Sequence, residues 1–329
     1  MVKSDQVVQV RARFAPSPTG EMHLGNAWTA LLAWLDVRQR QGRLVLRIED
    51  LDPDRSRPHW TAQLIEDLHW LGLDWDEGPD IGGPCAPYMQ DQRRSLYTTA
   101  LEQLAAVGLV YHCYCTRAEV RAAATAPHGG TDREQCANRC WLLNEHQHLQ
   151  LKLAGRKPCV RIHLPDVPVP IQFVDRCAGV VTEDMGQTTG DFVLRRADGV
   201  HAYQLAVVVD DGLMGITDVL RGNDLLPSTA RQIWLHHLLG FTPPRFAHVP
   251  LLIDTDGHRL SKRHAVLSIA ALRTQGQQAG EIIGLLAALA GMLPVPRAIH
   301  PTQLLGRLDP GCLCQPSVVV DVATIRAGP

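Results

Sequence analysis

The residue types with the clearest chemistry in the first part of the chain lie together in residues 13–26, RFAPSPTGEMHLGN. Each proline disfavours helix for the residue before it, so this loop separates a strand from a following helix. The free N–H groups and the dipole at the start of such a helix favour bound anions. His23 could donate to phosphate oxygens, and Gly25 permits close approach of a flat ring or a phosphate. The segment therefore predicts an anion site, although HLGN alone would also fit a surface histidine near a helix start.

A second segment with possible chemistry is RLSKR at residues 259–263. It follows residues 251–257, LLIDTDG, which resemble a hairpin with an Asp-Gly turn. A basic loop beside a bound nucleotide would place Lys262 against triphosphate charge that grows in the transition state. Taken by itself, the segment fits a solvated surface loop better than a catalytic one.

Four of the nine cysteines form two close pairs. Cys113 and Cys115 are separated by twenty residues from Cys136 and Cys140, which gives the pattern C-x-C…C-x3-C. Four thiolates in two close pairs suit tetrahedral Zn²⁺ in a closed structural site. Four buried thiols without a metal are the open alternative. The remaining cysteines show no such pattern: Cys85, Cys159, Cys177, Cys312 and Cys314.

Strands and helices alternate in the part of the chain that contains the first segment. Apolar spacing predicts strands over 7–14 and 43–48, an acidic turn over 49–54, and helices over 24–35, 60–71 and 95–107. Such alternation predicts an α/β protein with a Rossmann-like, doubly wound parallel sheet. The alternation breaks near residue 110 and resumes later, which favours a domain interrupted by an insertion.

The predicted organisation has four segments. Residues 1–110 form the first half of a Rossmann-like catalytic domain, and residues 111–185 form an insertion with the zinc site. Residues 186–258 form the second half, and residues 259–329 form the Lys262 loop and a short helical tail. Further strands are predicted over 159–164, 171–174, 191–196 and 202–210, the last as a strand buried on both faces.

The composition is that of an ordinary globular protein. The 329 residues are 45% hydrophobic and carry 32 basic and 34 acidic side chains, hence a net charge of −2. This balance argues against coating of nucleic acid or an anionic membrane by bulk charge, but it allows a local basic groove. The apolar run at residues 282–293 is shorter than the roughly 18–20 residues that span a membrane, so it predicts a buried helix. Residues 1–10 lack an apolar leader, and we expect a cytoplasmic protein with reduced cysteines and no membrane segment.

Together, the segments at 13–26 and 259–263 resemble the HIGH and KMSKS signatures of class I aminoacyl-tRNA synthetases, specifically the glutamyl branch. Residues 45–54, 70–79, 203–211 and 219–226 support this resemblance, which extends to about residue 265. It implies activation of L-glutamate with ATP and Mg²⁺, a step that can proceed without tRNA. Asn26 stands where the HIGH signature has its last His, and Leu260 and Arg263 replace the Met and the final Ser of KMSKS.

The resemblance also implies roles for individual residues. His23 and Lys262 are the implied catalytic residues, and ATP would contact them together with Gly25, Asn26 and Ser261. The implied glutamate-binding residues are Arg13, Ala15, Ser17, Glu49, Tyr203 and Arg221. Their chemistry fits, because arginines suit the two carboxylates, Glu49 suits the ammonium, and Tyr203 adds a hydroxyl and an aromatic wall.

The chain length sharpens the expected function. The sequence continues for only about 65 residues after the Lys262 loop, where a full glutamyl-tRNA synthetase has a large anticodon-binding region. This plan resembles the glutamyl-Q tRNA(Asp) synthetase family, whose members attach glutamate to the queuosine base in the anticodon of tRNA(Asp). Two alternatives stay open: a short glutamyl-tRNA synthetase that charges the acceptor end, and a non-catalytic module that binds RNA or a nucleotide. We expect a monomer.

Overall fold

The computed structural model describes residues 9–116, 118–120, 136, 139–165, 167–260 and 267–321. Ser261, Lys262 and Arg263 lie outside the described residues, as do the first two residues of the predicted strand 7–14. The strands are β1 Arg11–Phe14, β2 Arg43–Leu46, β3 Val110–Cys113, β4 Cys159–Ile162, β5 Pro170–Asp175, β6 Gly179–Asp184, β7 Phe192–Arg195, β8 Asp218–Gly222, β9 Arg245–Val249, β10 Leu251–Ile253 and β11 Ser317–Val319. The helices are α1 Leu24–Gln39, α2 Pro58–Trp70, α3 Arg94–Ala106, α4 Glu145–Leu153, α5 Met185–Thr188, α6 Tyr203–Leu213, α7 Thr229–Leu238, α8 Ile269–Thr274 and α9 Ala279–Leu289.

Within these residues, six strands form the central sheet in the order β2-β1-β8-β9-β5-β6. All neighbours are parallel except the edge strand β6, which pairs antiparallel with β5. From β1 the chain passes through α1 to β2 on one side, whereas β8 lies on the other side of β1. In open α/β sheets, such a switch point opens a crevice at the carboxyl ends of the strands. The predicted doubly wound parallel sheet is confirmed.

Helix α1 anchors this crevice because it is buried along most of its length. Leu24, Leu31 and Leu35 are fully buried, and the indole N–H of Trp28 donates to the carbonyl of Pro250 at 2.8 Å. This bond joins the first helix to the link between β9 and β10. The start of α1 therefore has a fixed position relative to the segment that leads to residue 260.

A second sheet carries the cysteine cluster. Among the described residues it has three antiparallel strands in the order β3-β4-β7. Strands β5 and β6 fall inside the predicted insertion 111–185 but join the central sheet, and β7 falls inside the predicted segment 186–258 but pairs with β4. The four segment boundaries stay a prediction.

The strand predicted over 202–210 is wrong: these residues form most of α6. The run Ala-Val-Val-Val is rich in strand-forming residues, but a short apolar run fits a buried helix equally well. Leu205 and Val208 are fully buried in a core shared with Tyr97 of α3 and Ala230 of α7. Burial by helices around it, rather than local preference, decides the conformation of this segment.

The tail is helical, as predicted, and it also contains a strand. Ile283 and Leu286 of α9 are completely buried in the core that contains α1. Beyond two short 3-10 turns, β11 pairs in parallel with β10. The predicted turn after β10 is confirmed, with Gly257 at φ +80° and the N–H of Leu260 donating to the carbonyl of Leu252. In the described part of the chain, no helix has the length and apolarity that a membrane crossing requires.

Candidate functional site

The predicted glutamate-binding side chains converge at the carboxyl edge of the central sheet. Arg13 lies in β1, Arg221 in β8, and Glu49 three residues after β2, while Tyr203 is the first residue of α6. Burial raises the pKa of Tyr203, and Arg221, Glu49 and Arg13 are close enough for their charges to act on its hydroxyl. The structure therefore brings these four residues together.

Arg13 is a buried cation with hydrogen-bonding capacity left over. Its residue is only 4% exposed, and its Nε makes no hydrogen bond to any described residue. The nearest carboxylate is that of Asp211, whose Oδ1 lies 3.5 Å from Nε. Buried donors without a partner are rare in folded proteins, so this guanidinium is suited to a bound acceptor.

The carboxylate of Glu49 is held in place by Arg47, a residue that is not among the predicted site residues. Arg47 is fully buried and donates to Glu49 at 3.2 Å and to Asp211 at 2.6 Å. Burial opposes the charge of Arg47, but Asp211, Asp210 and Glu49 around it raise its pKa. Burial raises the pKa of Glu49, although Arg47 and Arg13 counteract it. The spacing of two residues places Arg47 and Glu49 on the same side of an extended chain, which is a signal that the sequence offers.

Asp211 completes the support. Burial disfavours its charge, but Arg47 and Arg13 outweigh this effect and lower its pKa. The charged Asp211 lies between the guanidinium groups of Arg47 and Arg13 and contacts both, so it fixes the directions of these two side chains. The neighbouring Asp210 accepts hydrogen bonds from Gln90, Arg93 and Tyr97, so it ties α6 to α3 and to the 3-10 turn that precedes α3.

Arg221 is held by the protein more completely than Arg13. Its Nε donates to His248 at 2.9 Å, Nη1 to Gln232 at 2.7 Å, and Nη2 to Thr229 at 2.9 Å. A longer bond joins Nη2 to the carbonyl of Leu225 at 3.4 Å. A guanidinium has five N–H groups, so one N–H of Nη1 is left without a protein partner among the described residues. The predicted carboxylate-binding role therefore fits Arg13 better than Arg221.

A cleft of about 1200 Å³ opens from this pocket towards the cysteine cluster. Ser17, Glu49 and Tyr203 line one end, and Cys115 and Cys159 line the other. Ala15 lies in the adjoining loop. The carbonyl of Phe14 before it accepts from the backbone N–H of Arg47, and the carbonyl of Pro16 after it accepts from the backbone N–H of Glu49. The lining also contains several basic residues: Arg55, Arg156, Lys157, Arg161 and Arg196. The cleft can therefore admit a negatively charged molecule larger than an amino acid.

The predicted nucleotide-binding residues lie at the start of α1. His23 occupies the N-cap position, and its N–H donates to Asn26 Oδ1 at 3.3 Å. A Cβ atom at Gly25 would lie 3.1 Å from the His23 ring and 3.5 Å from the carbonyl of Leu260. A side chain at this position would therefore require the His23 ring to shift by a few tenths of an ångström.

The structure brings the two signature segments together at this helix start. Leu260 approaches Gly25, and Ser268 forms a β-bridge with His23. Arg259, the first residue of the second segment, forms an ion pair with Asp224. Both described flanks of residues 261–266 thus meet the residues that the first segment contributes. Ser261 and Lys262 lie outside the described residues, so their roles stay predictions.

The four predicted metal ligands form one cluster. The Sγ atoms of Cys113, Cys115, Cys136 and Cys140 all lie within 4.8 Å of one another, with separations of 3.4, 3.5 and 3.8 Å among the closest pairs. Tetrahedral Zn²⁺ with Zn–S bonds of about 2.3 Å requires S···S separations of about 3.8 Å. The backbone N–H of Cys140 donates to the Sγ of Cys136 at 3.2 Å, which favours a thiolate there. These four cysteines could hold a metal ion.

Comparisons with known proteins agree with this geometry. Residues 9–295 match the family model for the catalytic domain of class I tRNA synthetases (E and Q). A glutamyl-Q tRNA(Asp) synthetase from Nitratidesulfovibrio vulgaris is 51% identical over 92% of this chain and 93% of its own length. Another from Symbiobacterium thermophilum is 49% identical over 96% of this chain and 97% of its own length.

Solved structures show the same fold. The crystal structure of a glutamate tRNA ligase from Elizabethkingia meningosepticum, in complex with its amino acid, superimposes with a TM-score of 0.82. The sequences are 29% identical, and the match covers 96% of this chain and 68% of that one. The chain therefore belongs to the catalytic-domain family of class I tRNA synthetases of the glutamyl and glutaminyl type and, within it, to the glutamyl-Q tRNA(Asp) synthetases.

Proposed function

We propose that the protein activates L-glutamate with ATP and transfers the glutamate to the queuosine base in the anticodon of tRNA(Asp). The observation that carries the proposal is the pocket in which buried Arg13, whose Nε makes a 3.5 Å ion pair with Asp211 but no hydrogen bond to a described residue, lies beside Glu49, Tyr203 and Arg221. The names of the full-length relatives supply the RNA part of the proposal.

The charges of the pocket are complementary to glutamate. Arg13 would bind one carboxylate, and Arg221 would offer its remaining N–H and its positive charge to the other. Glu49 would accept hydrogen bonds from the ammonium group, and Arg47 holds it in place from the opposite side. Tyr203 would close the pocket, and the loop with Ala15 and Ser17 would border it.

The first step forms the glutamyl adenylate. The α-carboxylate of glutamate attacks the α-phosphorus of ATP, and pyrophosphate leaves. His23, the N-terminus of α1 and Lys262 would stabilise the negative charge on the phosphates, while Gly25, Asn26 and Ser261 would contact the nucleotide. Mg²⁺ would accompany ATP and neutralise part of the phosphate charge.

The second step transfers glutamate to RNA. A hydroxyl on the cyclopentene ring of queuosine attacks the carbonyl carbon of the adenylate, and AMP leaves. This step needs no nucleophile from the protein. The cleft that joins the glutamate pocket to the three-stranded sheet is a suitable entrance for an anticodon loop, because it is large and carries several arginines.

We also propose that Cys113, Cys115, Cys136 and Cys140 bind a structural zinc ion. The S···S separations of 3.4–3.8 Å among the closest pairs support this assignment, and all-thiolate sites of this kind are closed to substrates. A zinc ion would tie β3 to the start of the 3-10 turn at Cys140–Leu142. Its role would be to order this part of the protein rather than to take part in the reaction.

Labelled glutamate tests the proposed reaction. The protein is incubated with ATP, [¹⁴C]glutamate and tRNA(Asp) that carries or lacks queuosine, and nuclease fragments are then separated. We expect label on the anticodon fragment of queuosine-containing tRNA alone. The variant Arg13→Gln should lose this product, because it removes the guanidinium but leaves a side chain of intermediate length. Label at the acceptor end would instead support the short glutamyl-tRNA synthetase, and absence of adenylate would support a non-catalytic module.

A further inference from the structure

Arg221 is connected through His248 to Asp175, and the three residues come from neighbouring strands of the central sheet. We propose that His248 is a positioning residue that fixes the direction of Arg221 and so sets the affinity for glutamate, and that Asp175 acts only on His248, by fixing the tautomer in which the imidazole can accept from Arg221. The inference deepens the proposed function and rests on it.

The sheet register brings the three residues into line. Arg221 of β8 lies directly opposite His248 of β9, and β9 in turn pairs with β5, which ends at Asp175. His248 Nδ1 lies 2.6 Å from Asp175 Oδ2, and His248 Nε2 lies 2.9 Å from Arg221 Nε. His248 and Asp175 are 2% and 1% exposed, so water does not compete for these bonds.

Hydrogen-bond direction fixes the tautomer of His248. The Nε of arginine can only donate, so Nε2 of His248 must accept, and the ring proton must lie on Nδ1. That proton then points to Asp175. Asp175 is itself held in place, because its Oδ1 accepts from the backbone N–H groups of Cys177, Ala178 and His248 at 2.9–3.1 Å. The chain of bonds has a single direction, from the guanidinium through the neutral imidazole to the carboxylate.

Other bonds hold the far side of Arg221. Gln232 accepts from Nη1 and donates to Gln204, which in turn donates to Ser228 at 3.0 Å. The guanidinium also lies over the ring of Phe246, with Cζ 5.2 Å from the ring centroid. Rotation of Arg221 would break all of these contacts together. The direction of its one remaining N–H is therefore set by the protein before a ligand arrives.

Two substitutions at His248 test its bond to Arg221 and its bond to Asp175 separately. His248→Gln places an amide oxygen near the position of Nε2, so it keeps an acceptor for Arg221 and loses the bond to Asp175. His248→Asn places an amide near the position of Nδ1, so it keeps a donor to Asp175 and loses the acceptor for Arg221. Glutamate-dependent exchange of labelled pyrophosphate into ATP then gives KM and kcat for both variants.

We expect a rise in the KM for glutamate of tenfold or more in His248→Asn, with the KM for ATP and kcat within threefold of the wild type. A contact that is equally strong in the ground and transition states affects KM rather than kcat. His248→Gln should stay within threefold for all three constants. Equal KM values for glutamate in the two variants, or a parallel rise in the KM for ATP, would overturn the proposal.

A measurement on the wild type keeps the test independent of how the variants fold. The ¹⁵N chemical shifts of His248 should show a protonated Nδ1 and a lone pair on Nε2 at neutral pH. A proton on Nε2 would overturn the proposal. If the wild type activates glutamate and the two variants have equal KM values for glutamate, the positioning role alone is refuted. If the wild type exchanges no pyrophosphate into ATP, the proposed function is refuted as well.

Discussion

The buried groups Arg47, Glu49 and Asp211 contact groups of opposite charge, whereas the buried Asp67 of α2, outside the pocket, makes no ion pair in the described part of the chain. It is 2% exposed, and its Oδ2 has no hydrogen-bond partner in the described part of the chain. Burial, together with the nearby Glu66, raises the pKa of Asp67 to about 7, while Arg273 opposes the shift. A buried carboxyl of this kind stabilises the folded protein only while it is protonated.

The pKa of Asp67 predicts how stability depends on pH. Its folded-state pKa lies above the unfolded value of about 3.9, so the folded state binds more protons between about pH 4 and 7. Stability should fall as the pH rises through this window. Asp67→Asn removes the titration and should raise the free energy of unfolding at pH 8 by about 1–3 kcal/mol, less than the full linkage because the amide is also poorly paired. Urea unfolding at pH 5 and pH 8 measures both effects.

The exposed Glu102 on α3 offers a control with the same loss of a carboxylate. Glu102→Gln should change the free energy of unfolding by less than about 0.5 kcal/mol at either pH. If Asp67→Asn has no higher free energy of unfolding than the wild type at pH 8, the ionised carboxylate of Asp67 does not destabilise the folded protein in the way that its burial implies.

At the scale of elements, local sequence patterns predicted the parts whose residues interact with near neighbours. The strand, loop and helix around residues 13–26 and the two cysteine pairs are examples, since the chemistry of each is visible within a short window. Helix α6 was mistaken for a strand because its apolar run suits either conformation. Strand β11 is three residues long and exists because it pairs with β10, which is more than sixty residues earlier.

The supporting residues of the pocket show the same limit. Asp211 and His248 act through partners on other strands and helices, so single segments of sequence do not reveal them, whereas for Arg47 a single segment shows only its spacing to Glu49. The predicted pocket residues came from a family resemblance rather than from local pattern. The sequence could not show which of the two arginines has more N–H groups available for a ligand. That difference depends on how many N–H groups of Arg13 and of Arg221 are hydrogen-bonded within the folded protein.

The cysteine cluster predicts a metal-dependent element. Cys136→Ser removes one of four thiolates and should reduce bound zinc from about one equivalent to well below half, measured by elemental analysis. Amide hydrogen exchange should accelerate most in β3, which carries Cys113, while the central sheet keeps its protection. A bound metal would hold β3 at Cys113, whereas β4 and β7 also pack in an apolar core through Ile162 and Leu194.

Cys312→Ser is the matched control, because Cys312 is exposed and lies outside the cluster. It should leave zinc content and exchange unchanged. Wild-type protein with far less than one equivalent of zinc would contradict the metal assignment, and uniform acceleration across both sheets would contradict its local role.

At the scale of the whole molecule, one core joins the two ends of the described chain. Leu31 of α1 and Leu286 of α9 belong to the same buried cluster, together with Leu304 from the tail. The closest approach in this packing is at Gly284, where a Cβ atom would lie 1.7 Å from the backbone carbonyl oxygen of Arg297. The tail is therefore part of the folded unit that positions the pocket.

Gly284→Ala tests this close packing. The added methyl group cannot fit unless α9 or the backbone at Arg297 moves, so we expect a loss of about 1–3 kcal/mol in unfolding free energy. The gain in helix propensity from Gly to Ala, about 1 kcal/mol, would offset only part of it. Thermal unfolding should show a lower Tm with a single transition.

Gly280→Ala in the same helix is the control for helix propensity, because it makes the same change of residue type. There the nearest atom to an added Cβ is the backbone nitrogen of Ile299 at 3.3 Å, which a small shift relieves. This variant should keep nearly the wild-type Tm. Equal Tm values for the two variants would mean that α9 is not tightly packed at Gly284.

The pairing of β11 with β10 has a practical consequence for spectroscopy. Cys312 and Cys314 are the exposed cysteines among the residues with described positions, and they come just before β11. A thiol-reactive dye should therefore label this part of the tail in preference to the buried cluster thiols Cys113, Cys136 and Cys140. Since β10 leads through a short turn to Leu260 beside Gly25, the dye would be attached to a segment that is connected to the proposed nucleotide site. Changes in its fluorescence on addition of ATP would follow binding without any engineered cysteine.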